Sequence, residues 1–190
     1  MNETAAATAL HEIDRVLDRT RRTRAIAWFP LTLFGALSIA SAPVGLASGG
    51  AALAAYWAIA GPLGGIVTAV YAIKRSRALG LEAPPVPYVV VASVLMVGAF
   101  AAGAAGRALG LPQLSVVGPA VAISLAYCAF AYIERNAAVA GLALGLLTIT
   151  LVVATAGMDA ARAGAMLALA YGAAFLVTGL TLRTFPGTER

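Results

Sequence analysis

The residues of this 190-residue chain whose types and spacing could do chemistry are mostly hydroxyls, set inside long apolar stretches. Ser124, Tyr127 and Cys128 fall three or four residues apart, so a helix would carry them on one face. Tyr171 sits in the last apolar stretch, and Ser93, Thr148, Thr150, Thr155, Thr178 and Thr181 add further hydroxyls. Their functional reading is a polar lining for a small neutral ligand, with Ser124, Tyr127, Cys128 and Tyr171 as the candidate binding residues. Their structural reading is helix-to-helix and i−4 backbone hydrogen bonding, worth roughly 0.6–2 kcal/mol each.

Ionisable groups are distributed in the opposite way. Every Asp, Glu, Lys, Arg and His lies in a terminus, in a linker or within a turn of one. Charged side chains inside a bilayer are costly and mark proton relays, ion pathways and counter-ions, so this distribution argues against all three. His11 is the only histidine and lies on a polar leader; Cys128 is the only cysteine. Neither a metal centre nor a disulfide framework is therefore expected, and no histidine is placed to activate a serine. HExxH and paired-aspartate motifs are absent. The only carboxylates that could meet at a membrane rim are Glu82 and Glu134, which would suit an enzyme acting on lipid or isoprenoid substrates. The expectation is a non-enzyme with no cofactor. Gly61-Pro62 and Gly118-Pro119 are predicted helix breaks, because proline removes an N–H and pushes away the preceding turn. Broken helices line the sites of many transporters.

The elements that must carry these residues are membrane helices. The chain is 61% hydrophobic and 11% charged, and its mean hydropathy is +0.90. Soluble domains run near about 45–50% apolar and 25% charged. The apolar residues come in blocks of about 20, the length of a bilayer-crossing helix. The fold class expected is all-α: a polytopic integral membrane protein, a six-transmembrane-helix bundle with an N-terminal cytoplasmic amphipathic helix. Residues 1–24 form the leader, with Leu10, Ile13 and Leu17 as an apolar stripe for docking a partner. The membrane domain is 25–183, with spans over 25–47, 51–73, 88–105, 114–133, 137–156 and 163–182, and 184–190 form a cytoplasmic tail. Arg21–Arg24 followed by an apolar run and Ala40-Ser41-Ala42 also has signal-peptide character. The leader is too long and polar for that, so the first span is expected to be retained.

Counting Lys and Arg sets the orientation. With the N-terminus inside, eleven of the thirteen fall on inner segments, and only Arg107 and Arg162 fall outside. Arg21, Arg22, Arg24, Lys74, Arg75 and Arg77 form an inner basic rim, able to meet anionic lipid or an acidic partner. The net charge of +5 is thus a matter of topology, and no nucleic-acid partner is expected. Trp28, Tyr71, Tyr88 and Tyr132 land at the same inner interface. Lys74 is the only lysine among the thirteen basic residues, which reads as GC-rich codon usage and a bacterial source. Glycine pairs four apart recur, and Gly141 with Gly145 is the cleanest candidate for contact with another helix.

The stretches Glu12-Ile13-Asp14-Arg15, Arg19-Thr20-Arg21-Arg22, Phe29-Pro30-Leu31 and Phe34-Gly35-Ala36-Leu37 resemble the start of small six-span membrane proteins of high-GC bacteria. That resemblance covers the first quarter of the chain and implies a bacterial inner-membrane location. In architecture the chain is similar to the substrate-binding subunits of energy-coupling-factor vitamin transporters, with Ala36 and Ala40 at the spacing of their docking motif. A leader helix before six spans also resembles the permease subunits of ABC-2-type exporters. The leading functional expectation is a non-enzymatic membrane subunit that works through a protein partner or as a homo-oligomer. The alternative is a small-molecule carrier with a hydroxyl-lined pocket, and the third reading is the rim enzyme.

Overall fold

The computed structural model describes residues 3–78, 86–134 and 137–184; the side chains of residues 3–27, 86–89 and 134 lie outside the description. Five helices make up the described chain: α1 (Glu3–Ala78), α2 (Val86–Ala108), α3 (Pro112–Glu134), α4 (Ala137–Thr155) and α5 (Ala160–Thr184). No strand occurs among the described residues. Each of the five contains a segment long and apolar enough to cross a membrane: Trp28–Ala78, Val90–Ala108, Pro112–Ile133, Ala137–Thr155 and Ala160–Thr184. Exposed Ile59, Ile66, Val94, Val97, Leu144, Leu151 and Val177 cover the outside of this bundle. Such a surface suits hydrocarbon, where no hydrophobic penalty attaches to an outward-facing leucine.

The 76-residue α1 is not straight. At Gly49 the backbone leaves helical angles, with φ 76° and ψ −175°, a region open in practice only to glycine. The arm after Gly49 returns along the arm before it. Tyr56 donates its hydroxyl to Leu37 O at 2.8 Å, a Cβ at Gly64 would meet Leu37 and Phe34, and the rings of Phe29 and Tyr71 stack at 4.2 Å. Gly49 falls in the gap expected between residues 47 and 51. The expected breaks at Gly61-Pro62 and Gly118-Pro119 are not where the chain departs from helix. Pro62 and Pro119 both lie inside continuous helices. A membrane helix tolerates proline because the packed surroundings re-satisfy what the missing N–H leaves open. Gly118 instead serves packing: a Cβ there would fall 2.9 Å from that of Ala102 on α2.

Two further turns are built from glycine at positive φ. After α2, Leu111 N bonds Gly106 O at 2.8 Å and Gly110 N bonds Arg107 O at 3.1 Å, with Gly110 at φ 66°. That is a Schellman cap, and it reverses the chain into α3. After Gly157 (φ 65°), Asp159 caps α5, its Oδ1 accepting from Arg162 N at 2.9 Å. Gln113 Nε2 donates to Met158 O and ties these two turns together.

α2 packs on α3, α3 on α4 and α5, α4 on α5, and α1 on α5. Along the seam between α1 and α5, a Cβ at Gly35 would lie 3.0 Å from Gly172 O. One at Gly172 would lie 2.9 Å from Gly35 O, and one at Gly179 would lie 3.0 Å from Trp28 O. Glycine at these three positions lets the two backbones touch, which is how helices gain contact in a solvent as apolar as their own side chains. α3 sits at the centre, between α2 on one side and α4 and α5 on the other. The buried core is Leu31, Ala120, Leu142, Leu146, Val153, Leu167, Tyr171 and Phe175.

Candidate functional site

The polar residues that the fold brings together are Ser124 of α3, Thr150 of α4 and Tyr171 of α5. Their relative exposures are 0%, 2% and 4%, so the three form a closed cluster. The Tyr171 hydroxyl is 2.7 Å from Ser124 Oγ and 2.5 Å from Thr150 Oγ1. It also reaches Ala120 O at 3.0 Å and Leu146 O at 3.2 Å. Ser124 Oγ bonds Ala120 O at 3.0 Å, and Thr150 Oγ1 bonds Leu146 O at 2.8 Å. Each small hydroxyl thus has a carbonyl one turn back on its own helix, and Tyr171 bridges the two. The tyrosine proton has a choice of acceptors, and every hydroxyl oxygen in the cluster is hydrogen-bonded. Chemically this is a knot that fastens three helices, with its polar groups bonded to one another and to main-chain carbonyls.

The four expected ligand-binding residues divide. Ser124 and Tyr171 join in the knot. Tyr127 stands one turn along α3 and packs its ring 5.1 Å from Phe175 and 5.9 Å from Phe130. Cys128 points elsewhere: it lines an open cleft of about 530 Å³ between α3 and α4, with Ala131, Tyr132, Ala140, Ala143 and Leu144. Ser124 lies between the other two around α3, with Tyr127 about 60° to one side, toward Phe175, and Cys128 about 40° to the other, toward the cleft with α4. Thr150 belongs to the cluster and is not distinguishable in sequence from Thr148 and Thr155. Those two spend their hydroxyls on Leu144 O and Leu151 O of their own helix. Thr68 Oγ1, on the second arm of α1, is buried and has no hydrogen-bond partner among the described residues.

A second group of aromatic and basic side chains gathers where α1 begins its apolar course. Trp28 packs edge-on to Phe29 at 5.8 Å and to Tyr71 at 6.2 Å. The Arg183 guanidinium lies over the Trp28 ring, 5.1 Å from its centroid. Of the expected basic rim, Lys74, Arg75 and Arg77 are exposed beyond Tyr71. Arg21, Arg22 and Arg24 lie on the helical backbone of α1, but their side chains are outside the described residues. Tyr132 stands 85% exposed at the end of α3. At the other end of the bundle are Arg107 and Arg162, the latter 3.3 Å from Asp159.

The partner-docking stripe Leu10, Ile13 and Leu17 lies on α1, again with side chains outside the described residues. Glu82 and the Glu134 side chain are outside them too, so the rim-enzyme pair has no measured geometry. Among the described residues, no group of three His, Cys, Asp or Glu could hold a metal ion. The glycines on α4 behave differently from those on α5: a Cβ at Gly141 or Gly145 would meet nothing within 4 Å. Comparison with models of protein families, with curated proteins and with solved structures returned no match to this chain.

Proposed function

We propose that this chain is a six-span protein of a bacterial cytoplasmic membrane, with both ends of its membrane domain on the cytoplasmic side. It serves there as a non-enzymatic subunit acting through a protein partner. The six-span count is supported by the return of α1 at Gly49. Residues 28–48 and 50–78 are each long enough to cross, at roughly 1.5 Å per residue against about 30 Å of hydrocarbon. The orientation is supported by charge: Lys74, Arg75, Arg77 and Arg183 share one end of the bundle, while Arg107 and Arg162 occupy the other. Cytoplasmic faces carry the excess of Lys and Arg.

The observation that carries the subunit reading is the knot. The hydroxyls at the bundle centre bond to one another and to carbonyls, so they fasten helices and offer no open donor or acceptor to a solute. The helical frame is thus closed in the middle, while Gly141, Leu144, Gly145 and Thr148 leave α4 with an uncovered face. The carrier reading draws on the cleft beside Cys128, whose lining is largely alanine and leucine.

The test is purification from the native host in mild detergent, with mass spectrometry of everything that travels with the chain. A stoichiometric protein partner that is lost when Leu10, Ile13 and Leu17 are all replaced by serine is the expected result. A chain that purifies alone, with a stoichiometric small molecule bound, would overturn it in favour of the carrier.

A further inference from the structure

The aromatic and cationic cluster at the basic end of the bundle is continuous with an apolar groove, and the two match one ligand. On the first arm of α1, Phe29, Leu33 and Leu37 follow one another at four-residue spacing and so share a face. On the second arm, Tyr56, Ala60, Leu63, Val67, Tyr71 and Lys74 do the same at three- and four-residue spacing. Leu33, Leu37, Tyr56, Ala60, Leu63 and Val67 line a groove of about 400 Å³ between the two arms. The one hydroxyl in that lining, Tyr56, is turned onto Leu37 O at 2.8 Å, so the groove is apolar along its length. Tyr71 continues the line of Val67 at the upper end, stacked on Phe29 at 4.2 Å. Lys74 and Arg75 come one turn later on the same side of the helix.

The upper end has the chemistry of an anion site. The Arg183 guanidinium carbon lies 5.1 Å from the centroid of the Trp28 ring, and the group carries five N–H donors. Lys74 and Arg75 are exposed. Arg183, Lys74 and Arg75 make no ion pair with a described residue, and the only described acidic side chain, Asp159, is paired with Arg162 at the opposite end. Cations drawn from α1 and α5 therefore border an aromatic platform at the depth where rings favour headgroups.

We propose that this seam binds one anionic phospholipid, its phosphate held by Arg183, Lys74 and Arg75 and one acyl chain laid in the groove between the arms of α1. Positive-inside topology alone accounts for cations at this end. It does not account for an apolar groove on the same helix face as Tyr71 and Lys74. The site depends only on the chain being in a bilayer, so it stands or falls separately from the partner reading.

The test is native mass spectrometry of the full-length chain released from vesicles of phosphatidylglycerol and phosphatidylethanolamine in equal amounts. One retained phosphatidylglycerol per chain is expected, weakened at least tenfold by combined Arg183→Gln and Lys74→Gln. Ala60→Phe fills the groove while leaving every cation in place, and it should displace the lipid too. Arg107→Gln with Arg162→Gln, at the far end, should retain it. Equal retention of phosphatidylethanolamine, or unchanged retention in both the cation and the groove variants, would overturn the proposal. Displacement of the lipid by millimolar inorganic phosphate would assign the cations to a free anion and overturn it as well.

Discussion

Replacing Tyr171 by phenylalanine is the sharpest probe of the three-helix knot. The substitution removes one oxygen and keeps the ring, so its packing against Phe175 at 6.0 Å survives. No cavity forms of the kind that makes aromatic-to-alanine changes cost about 3–5 kcal/mol. Ser124 and Thr150 keep their bonds to Ala120 O and Leu146 O, so neither is left as an unsatisfied buried donor. With the Ser124 and Thr150 protons on those carbonyls, what is lost is the single proton of Tyr171, one donated bond between helices shared among its acceptors. Interhelical hydroxyl bonds in membranes average about 0.6 kcal/mol and reach about 1.7, so Tyr171→Phe should cost roughly 0.6–1.7 kcal/mol. Unfolding in mixed micelles of increasing sodium dodecyl sulfate fraction, followed by Trp28 and Trp57 fluorescence, reads this directly. The cycle with Thr150→Val is more stringent. Because Thr150 bonds to Tyr171 across the α4–α5 interface, the two changes should couple by about 0.6 kcal/mol or more. Additivity within about 0.3 kcal/mol would refute the Thr150–Tyr171 bond and leave Tyr171 tied to α3 alone.

Three other outcomes follow from the geometry. Gly49→Ala meets no atom within 4 Å but forces a side chain onto φ 76°, so it should cost about 1–3 kcal/mol of backbone strain, read in the same micelle titration. Gly172→Ala places a Cβ 2.9 Å from Gly35 O and should destabilise by about 1–3 kcal/mol, whereas Gly145→Ala, facing open space, should leave stability unchanged. A loss of partner co-purification in Gly145→Ala at unaltered stability would then place the partner on α4. In a Cys128→Ala background, Arg162→Cys should react with an impermeant maleimide in intact cells, and Arg77→Cys only after the membrane is opened; the reverse pattern would invert the orientation.

The helices were legible because membrane crossing demands a long apolar run, a signal that needs no knowledge of neighbours. The expected apolar stretches fall on the helices observed, except that 137–156 runs one residue past the end of α4, and the expected gap after residue 47 contains Gly49. What the sequence hid is pairwise. Ser124 and Tyr171 were visible as hydroxyls in apolar surroundings, but Thr150 becomes their partner only when α4 and α5 are set side by side. Cys128 and Tyr127 flank Ser124 on α3, and the sequence does not say which neighbour each flank meets: Tyr127 meets Phe175, and Cys128 lines the cleft with α4. Proline misled because its effect on an isolated helix is strong, while inside a packed membrane bundle Pro62 and Pro119 are carried through. Glycine spacing of four finds Gly106, where α2 meets the α3 backbone, but not the α1–α5 seam. Gly164, Gly172 and Gly179 recur at eight and seven residues, two helical turns each, and that longer period marks the face that meets α1.

The seam between Gly35 and Gly172 joins positions 137 residues apart in the chain. A ribosome adding about 5–20 residues per second needs roughly 7–27 s to travel that distance. Throughout that interval Gly35 has no Gly172 to meet. The seam therefore closes only after the amino-terminal hairpin has been made and the final helix has followed it. A chain cut short before α5 would leave Gly35 without the backbone it meets in the finished molecule.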